Sequence, residues 1–249
     1  MSNDKFHNKL YVVTGCSRGI GKYIVYELIR RGALVHGIAR SRDALEELKV
    51  RFGEDKFTYT VCDLAESSCL KRIVSNVTSR SIPIYGLINN AGVGAMGNPL
   101  ELGYDVYEYL TRLLYLAPVR LCIEFGKIMA ARDEGVIVNV ITLAIATHIR
   151  GLEVYIAPKH ALHRFTEDLR KYLKPHGVLV ISVYPSLTET NFFKVKELER
   201  LYGEFKRNVF TRITISKPEK VAKAIVDAIE KGKERVFIPW FAYLARFRL

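Results

Sequence analysis

The sequence lacks an apolar signal core after its opening Met-Ser-Asn-Asp-Lys, and its longest late apolar run, Phe237 to Ala245, is well short of the ~20 residues that span a bilayer. These two absences predict a soluble, cytoplasmic protein. Cysteine is scarce: Cys16, Cys62, Cys69 and Cys122 are the whole set, and none stands at metal-ligand spacing. The expectation is therefore no metal and no disulfide, with the thiols reduced and packed. Acidic residues are the minority sign, 26 against 38 Lys and Arg, and residues 190 to 249 alone carry fourteen basic side chains against seven acidic. Such an excess attracts anions, but no nucleic-acid-binding motif accompanies it. We expect a solvated basic face and no nucleic-acid partner.

What is present is a periodic α/β pattern. Leu10-Tyr-Val-Val13 reads as a strand that runs into Thr14-Gly15-Cys-Ser17-Arg18-Gly19-Ile20-Gly21 and then a helix with apolar residues at Ile24, Leu28 and Ile29. Strand, glycine turn and helix start together make a phosphate site. Glycine lets the backbone pass close to a pyrophosphate, and the helix N-terminus offers unpaired N–H groups. A second strand, Leu34 to Ile38, leads to Arg40 where NAD-binding sites place an acid for the ribose 2′-hydroxyl. A guanidinium suits a 2′-phosphate instead, and Arg18 is set to approach the same group, so the expected cofactor is NADP(H) in preference to NAD(H). Phe57 to Cys62 alternates as a third strand, with Asp63 and Leu64 following; Asp63 is a candidate acceptor for an adenine amine or a helix cap. Tyr85 to Asn89 is a fourth strand, ending in Asn90, Ala91 and Gly92 at the edge where such sheets bind ligands. The expected fold is α/β: a single doubly wound parallel sheet of Rossmann type, helices on both faces, forming one domain over residues 1–249.

The chemistry centres on Tyr155 and Lys159, which share a helix face at i,i+4. A neighbouring ammonium favours a phenolate and turns a phenol into a usable proton shuttle. The same spacing recurs at Tyr202 and Lys206, so spacing alone does not select the pair. Context does: Thr142, thirteen residues before Tyr155, puts a hydroxyl at the end of the buried strand pattern Gly135 to Ile141. Pro158 lies between the two, which requires that Tyr155 sit near the start of its helix. Tyr104 to Arg132 reads as one long helix kinked at Pro118, and Ser216-Lys-Pro-Glu219 as a capping box opening a helix at Val221 to Lys231.

In order along the chain, these motifs resemble the short-chain dehydrogenase/reductase family in its compact form. The glycine turn looks like that family's cofactor turn, Asn89 to Gly92 its central-strand motif, and Tyr155 with Lys159 its catalytic pair; Pro185 to Thr190 is similar to its nicotinamide loop. The resemblance implies a pyridine-nucleotide oxidoreductase, with NADP(H) expected from Arg40 and Arg18, in which Thr142, Tyr155 and Lys159 act on a carbonyl or alcohol substrate. It also implies that Gly15, Ser17, Arg18, Gly19, Ile20, Gly21, Arg40, Asp63, Leu64, Asn90, Ala91, Gly92, Tyr155, Lys159, Pro185, Thr188 and Thr190 hold the cofactor, in a homodimer or homotetramer. Three residues depart from the family pattern: Thr142 stands for its serine, Leu114 for the asparagine that supports a proton-relay water, and Ser186 for a glycine. The pocket wall is expected from Val93, Ala95, Met96, Ala144, Ile145, His148 and Phe192, and a substrate lid from residues 188–210. The aromatic, basic tail 239–249 is expected at a subunit contact or substrate wall, with membrane contact the lesser alternative.

Overall fold

The computed structural model describes residues 4–188 and 216–240. Seven strands, β1 (Leu10–Thr14), β2 (Leu34–Ala39), β3 (Phe57–Val61), β4 (Ile84–Asn89), β5 (Gly135–Val140), β6 (Val178–Pro185) and β7 (Arg235–Ile238), lie in one sheet of order β3-β2-β1-β4-β5-β6-β7. Every neighbouring pair is parallel. Helices α1 (Gly19–Arg30), α2 (Arg42–Phe52), α3 (Ser67–Thr78), α4 (Tyr104–Thr111), α5 (Ala117–Ala130), α6 (Glu153–Leu173) and α7 (Pro218–Lys231) make the crossovers. This is the doubly wound, Rossmann-type sheet that the motif order predicts.

Helices cover both faces because the strands are apolar on both. Val13, Ile88, Val138 and Ile181 point into a core shared with Ile24, Leu28, Ile225 and Ile229 of α1 and α7. Their neighbours Val12, Leu87, Ile137 and Val180 point the other way, against Ile73, Leu121 and Phe125 of α3 and α5. Alternate side chains of a strand face opposite sides, so a strand buried twice has no polar face to show. No helix among the described residues is long and apolar enough to cross a membrane.

Four local expectations are corrected. The long helix 104–132 is two helices joined by a π-helical turn, Arg112–Leu116, and Pro118 stands in the first turn of α5. There a missing N–H leaves no helical hydrogen bond unmade, so the π turn rather than the proline carries the irregularity. Helix α7 begins at Pro218 with Lys217 as N-cap and no side-chain cap, so there is no capping box. Ser216 is engaged instead in a bridge with Thr188, its N–H donating to the Leu187 carbonyl. Cys62 and Cys69 are joined as a disulfide, contrary to the expectation of free thiols, because the turn from β3 into α3 brings their Cα atoms to 5.9 Å. Cys16 and Cys122 are free and buried.

Helix α6 satisfies the condition set by Pro158. It starts at Glu153, so Tyr155 is in its first turn, while Pro158 falls just beyond it and leaves the Val154 carbonyl without a helical N–H donor.

Phe125 fixes α5 to the sheet and is completely buried. Phe125→Ala is expected to lower the unfolding free energy by about 3–5 kcal/mol, measured by chemical denaturation; a loss under about 1 kcal/mol would show that the site collapses around the smaller side chain.

Candidate functional site

Strand order reverses between β1 and β4, and the crevice at their carboxyl ends is where a doubly wound sheet binds ligands. Thr14 closes β1, and its hydroxyl accepts hydrogen bonds from the Asn90 and Ala91 N–H groups, both at 3.0 Å. The Asn90 side-chain amide donates back to the Thr14 and Gly15 carbonyls at 3.1 and 3.2 Å. The glycine turn is thus tied to the end of β4. Gly15 has φ +66°, and a Cβ there would lie 2.7 Å from the Ala91 Cα, so the position needs glycine on both counts. Gly21 does not line the crevice. A side chain on it would collide with the Gly15 carbonyl and the Asn90 amide, so Gly21 acts by letting α1 pack against the turn.

The crevice opens into a cavity of about 660 Å³. Gly15, Ser17, Arg18, Gly19 and Ile20 line it at the helix start, Arg40, Asp63 and Leu64 beyond the ends of β2 and β3, and Asn90, Ala91 and Gly92 after β4. Thr142, Tyr155, Lys159, Pro185 and Thr188 line its far side. Of the predicted site residues, then, all but Gly21 and Thr190 meet in one cavity; Thr190 lies outside the described residues, as do Phe192, the lid beyond Thr188 and the tail beyond Trp240. The expected wall is only partly there. Val93 and Ala144 line the cavity, whereas Ala95, Met96, Ile145 and His148 do not. Ile145 turns into an apolar cluster with Ile141, Tyr184 and Phe237, and His148 is exposed. Leu113, Thr147, Ile149, Leu152 and Leu187 take their place. No motif marks them, because they come from a π turn, a loop and a helix start that only folding juxtaposes.

At the far side, Thr142 is fixed by accepting a hydrogen bond from the Ala144 N–H at 3.2 Å, and its hydroxyl also bonds the Tyr155 phenol. Lys159, one helical turn along, is 4% exposed and donates to the Val140 carbonyl at 2.7 Å. Burial pushes the Tyr155 pKa up to about 12, with the Thr142 bond acting in the opposite direction. Burial also brings the Lys159 pKa down to about 8. The depressed phenol expected from the Tyr-x-x-x-Lys spacing is therefore not found: desolvation of the phenolate is the largest effect on it, and Lys159 is itself desolvated and turned to a backbone carbonyl.

The residue in the asparagine position, Leu114, is fully buried in the apolar core beside α3 and α5. Deeper in the sheet, Asn89 donates to Asn139 at 2.8 Å, and Asn139 donates to Thr166 of α6 at 2.9 Å. This polar chain ties β4, β5 and α6 together beneath the site. At the opposite end of the cavity, Arg40 does not stand free: it donates to Tyr109 of α4 at 2.9 Å and pairs with Asp63 at 3.4 Å. Tyr109 went unnoticed in the sequence, where an aromatic on a helix face carries no functional mark.

Fold and cavity define a dinucleotide-binding protein of the doubly wound class, with a phenol, an ammonium and a hydroxyl gathered at the ligand-binding edge of its sheet. The profile of the short chain dehydrogenase family matches residues 9–201, and the chain belongs to that family of oxidoreductases. It is 31% identical over 232 residues to the 3-ketodihydrosphingosine reductase of Bos taurus, an alignment covering 88% of this chain and 68% of that one. A short-chain dehydrogenase from Streptomyces avermitilis superposes with a TM-score of 0.83 at 26% identity, covering 96% and 90% of the two chains. A metagenomic short-chain oxidoreductase solved with NADP superposes with a TM-score of 0.76 at 25% identity, covering 94% and 97%.

The buried ammonium gives stability a pH signature. The Lys159 pKa is about 8 in the folded chain against an ordinary 10.5. Between those values the unfolded chain holds the proton and the folded chain does not, so this group makes stability rise with pH across that window and exacts its full cost below it. The stability of the wild type relative to Lys159→Met is expected to improve between about pH 8 and 10.5, read from denaturant titrations at each pH. A pH-independent difference would show that the ammonium is not desolvated.

Proposed function

We propose that this protein is an NADP(H)-dependent oxidoreductase that reduces a hydrophobic ketone or aldehyde to an alcohol, or catalyses the reverse. The observation that carries this reading is that Thr142, Tyr155 and Lys159 line one wall of the cavity, with Lys159 buried one turn from Tyr155. The residues present fit a dinucleotide. Gly15 leaves a cradle that a Cβ would fill, Arg18 and α1 offer positive charge at the phosphate end, and Arg40 at the cavity rim supports a 2′-phosphate there. When bound, the nicotinamide supplies or accepts the hydride.

The chain's own part is to hold an oxygen and move a proton. Thr142 and Tyr155 donate hydrogen bonds to a carbonyl oxygen, which polarises the carbon. A phenol with a pKa near 12 is fully protonated at neutral pH, so Tyr155 is ready to give its proton as negative charge develops on that oxygen. The Lys159 ammonium favours the phenolate left behind, and it is mostly charged at neutral pH with a pKa of about 8. The methyl of Thr142 stiffens its side chain and narrows the site relative to serine. Apolar Val93, Ile149, Leu152 and Leu187 around the cavity support an apolar substrate, and the likeness to a relative named 3-ketodihydrosphingosine reductase supports a ketone.

A second reading, a cofactor-binding protein with little catalysis, draws on Leu114. The two separate in one assay. NADPH and NADH oxidation is followed against ketones, diketones and aldehydes for the wild type, Tyr155→Phe and Arg40→Asp. Tyr155→Phe is expected to lower kcat by about 10²–10⁴-fold, and Arg40→Asp to erode the preference for NADPH. Binding of NADPH without reduction of any carbonyl on the panel would favour the second reading, and equal activity in Tyr155→Phe would remove the first.

A further inference from the structure

Three groups meet at the rim of the cavity that faces away from Tyr155. Arg40 follows β2, Asp63 follows β3, and Tyr109 comes from α4, the helix just before the π turn. The Tyr109 hydroxyl accepts from Arg40 Nη1 at 2.9 Å and donates to Asp63 Oδ2 at 3.2 Å. The direct Arg40–Asp63 contact is longer, 3.4 Å. The other Asp63 oxygen is occupied by the Ala65 N–H at 3.0 Å, so the carboxylate is anchored to the backbone and does not swing out to follow the guanidinium. Arg40 itself is 56% exposed, and a long side chain so exposed samples many rotamers unless something holds it. The phenol does so. Its ring packs partly buried against the α3–α5 core, which fixes where the hydroxyl stands.

We propose that Tyr109 is a positioning residue for cofactor selection: its phenol holds the Arg40 guanidinium over the adenosine end of the cavity, poised for a 2′-phosphate. This rests on the NADP(H) reading of Arg40 given above. The phenol and Asp63 both engage Nη1, and the Nε–H and Nη2–H groups are left for a phosphate. Tyr109 also donates to the same Asp63 oxygen that Arg40 pairs with, so the phenol shares that oxygen with the longer Arg40–Asp63 contact and keeps the guanidinium from closing onto the carboxylate. The effect is on selection between cofactors, not on the chemical step.

The test isolates the adenosine end by calorimetric binding of adenosine 2′,5′-bisphosphate and adenosine 5′-phosphate to the full chain. Wild type, Tyr109→Phe, Arg40→Ala and the double variant are compared; phenylalanine keeps the packed ring and deletes only the hydroxyl. Tyr109→Phe is expected to weaken the bisphosphate about fivefold and to leave adenosine 5′-phosphate within about twofold. Arg40→Ala is expected to abolish the preference for the bisphosphate, and Tyr109→Phe to have no further effect in that background. If Arg40→Ala leaves the preference intact, the NADP(H) reading of Arg40 fails and this proposal with it. If Arg40→Ala removes the preference while Tyr109→Phe leaves it unchanged, weakens both nucleotides equally, or still acts without Arg40, the role of Tyr109 alone is overturned.

Discussion

The hydrogen bonds between Thr14 and the Asn90–Ala91 backbone are the constraint on which the site depends. A parallel sheet leaves its carboxyl-terminal edge ragged, and two adjacent strands diverge into separate loops there. In this chain one threonine hydroxyl receives two N–H groups, and one asparagine amide answers with two bonds to the glycine turn. Both loops are thereby tied to each other at the mouth of the cavity. Gly15 and Gly21 serve that closeness, since a Cβ at either would push the turn off β4 or off its own helix. Preorganisation of this kind spares the ordering of loops on binding.

The second constraint is burial. Tyr155 and Lys159 are held in an environment where each resists its charged form, the phenol displaced to about 12 and the ammonium to about 8. Both shifts follow from desolvation, and they leave a protonated phenol beside a largely charged amine at neutral pH, which suits proton donation better than a phenolate would. The buried chain Asn89–Asn139–Thr166 joins this region of the sheet to the helix that carries both residues, although the Asn89 side-chain carbonyl oxygen is itself left without a partner among the described residues. Leu114, at the π turn, is buried in the apolar core and does not line the cavity.

The sequence by itself determined the sheet, its parallel winding and most of the site's membership. Strands buried on both faces are largely apolar, a glycine turn between strand and helix gains meaning from the motifs that follow it in order, and a phenol, an ammonium and a hydroxyl at fixed spacing follow from the strand and helix that carry them. Gly15, Asn90, Thr142, Tyr155 and Lys159 were legible for these reasons. Tertiary structure alone decided what depends on groups far apart in the chain. Tyr109 reaches Arg40 and Asp63 across separate elements, and His148 and Ile145 turn away from a cavity their neighbours line; even Cys62 and Cys69, only seven residues apart, meet through the path of the chain from β3 into α3. The pKa of Tyr155 belongs to the same category: spacing places a cation nearby, but the direction of the shift comes from the water that packing excludes, and no local pattern of residues encodes that quantity.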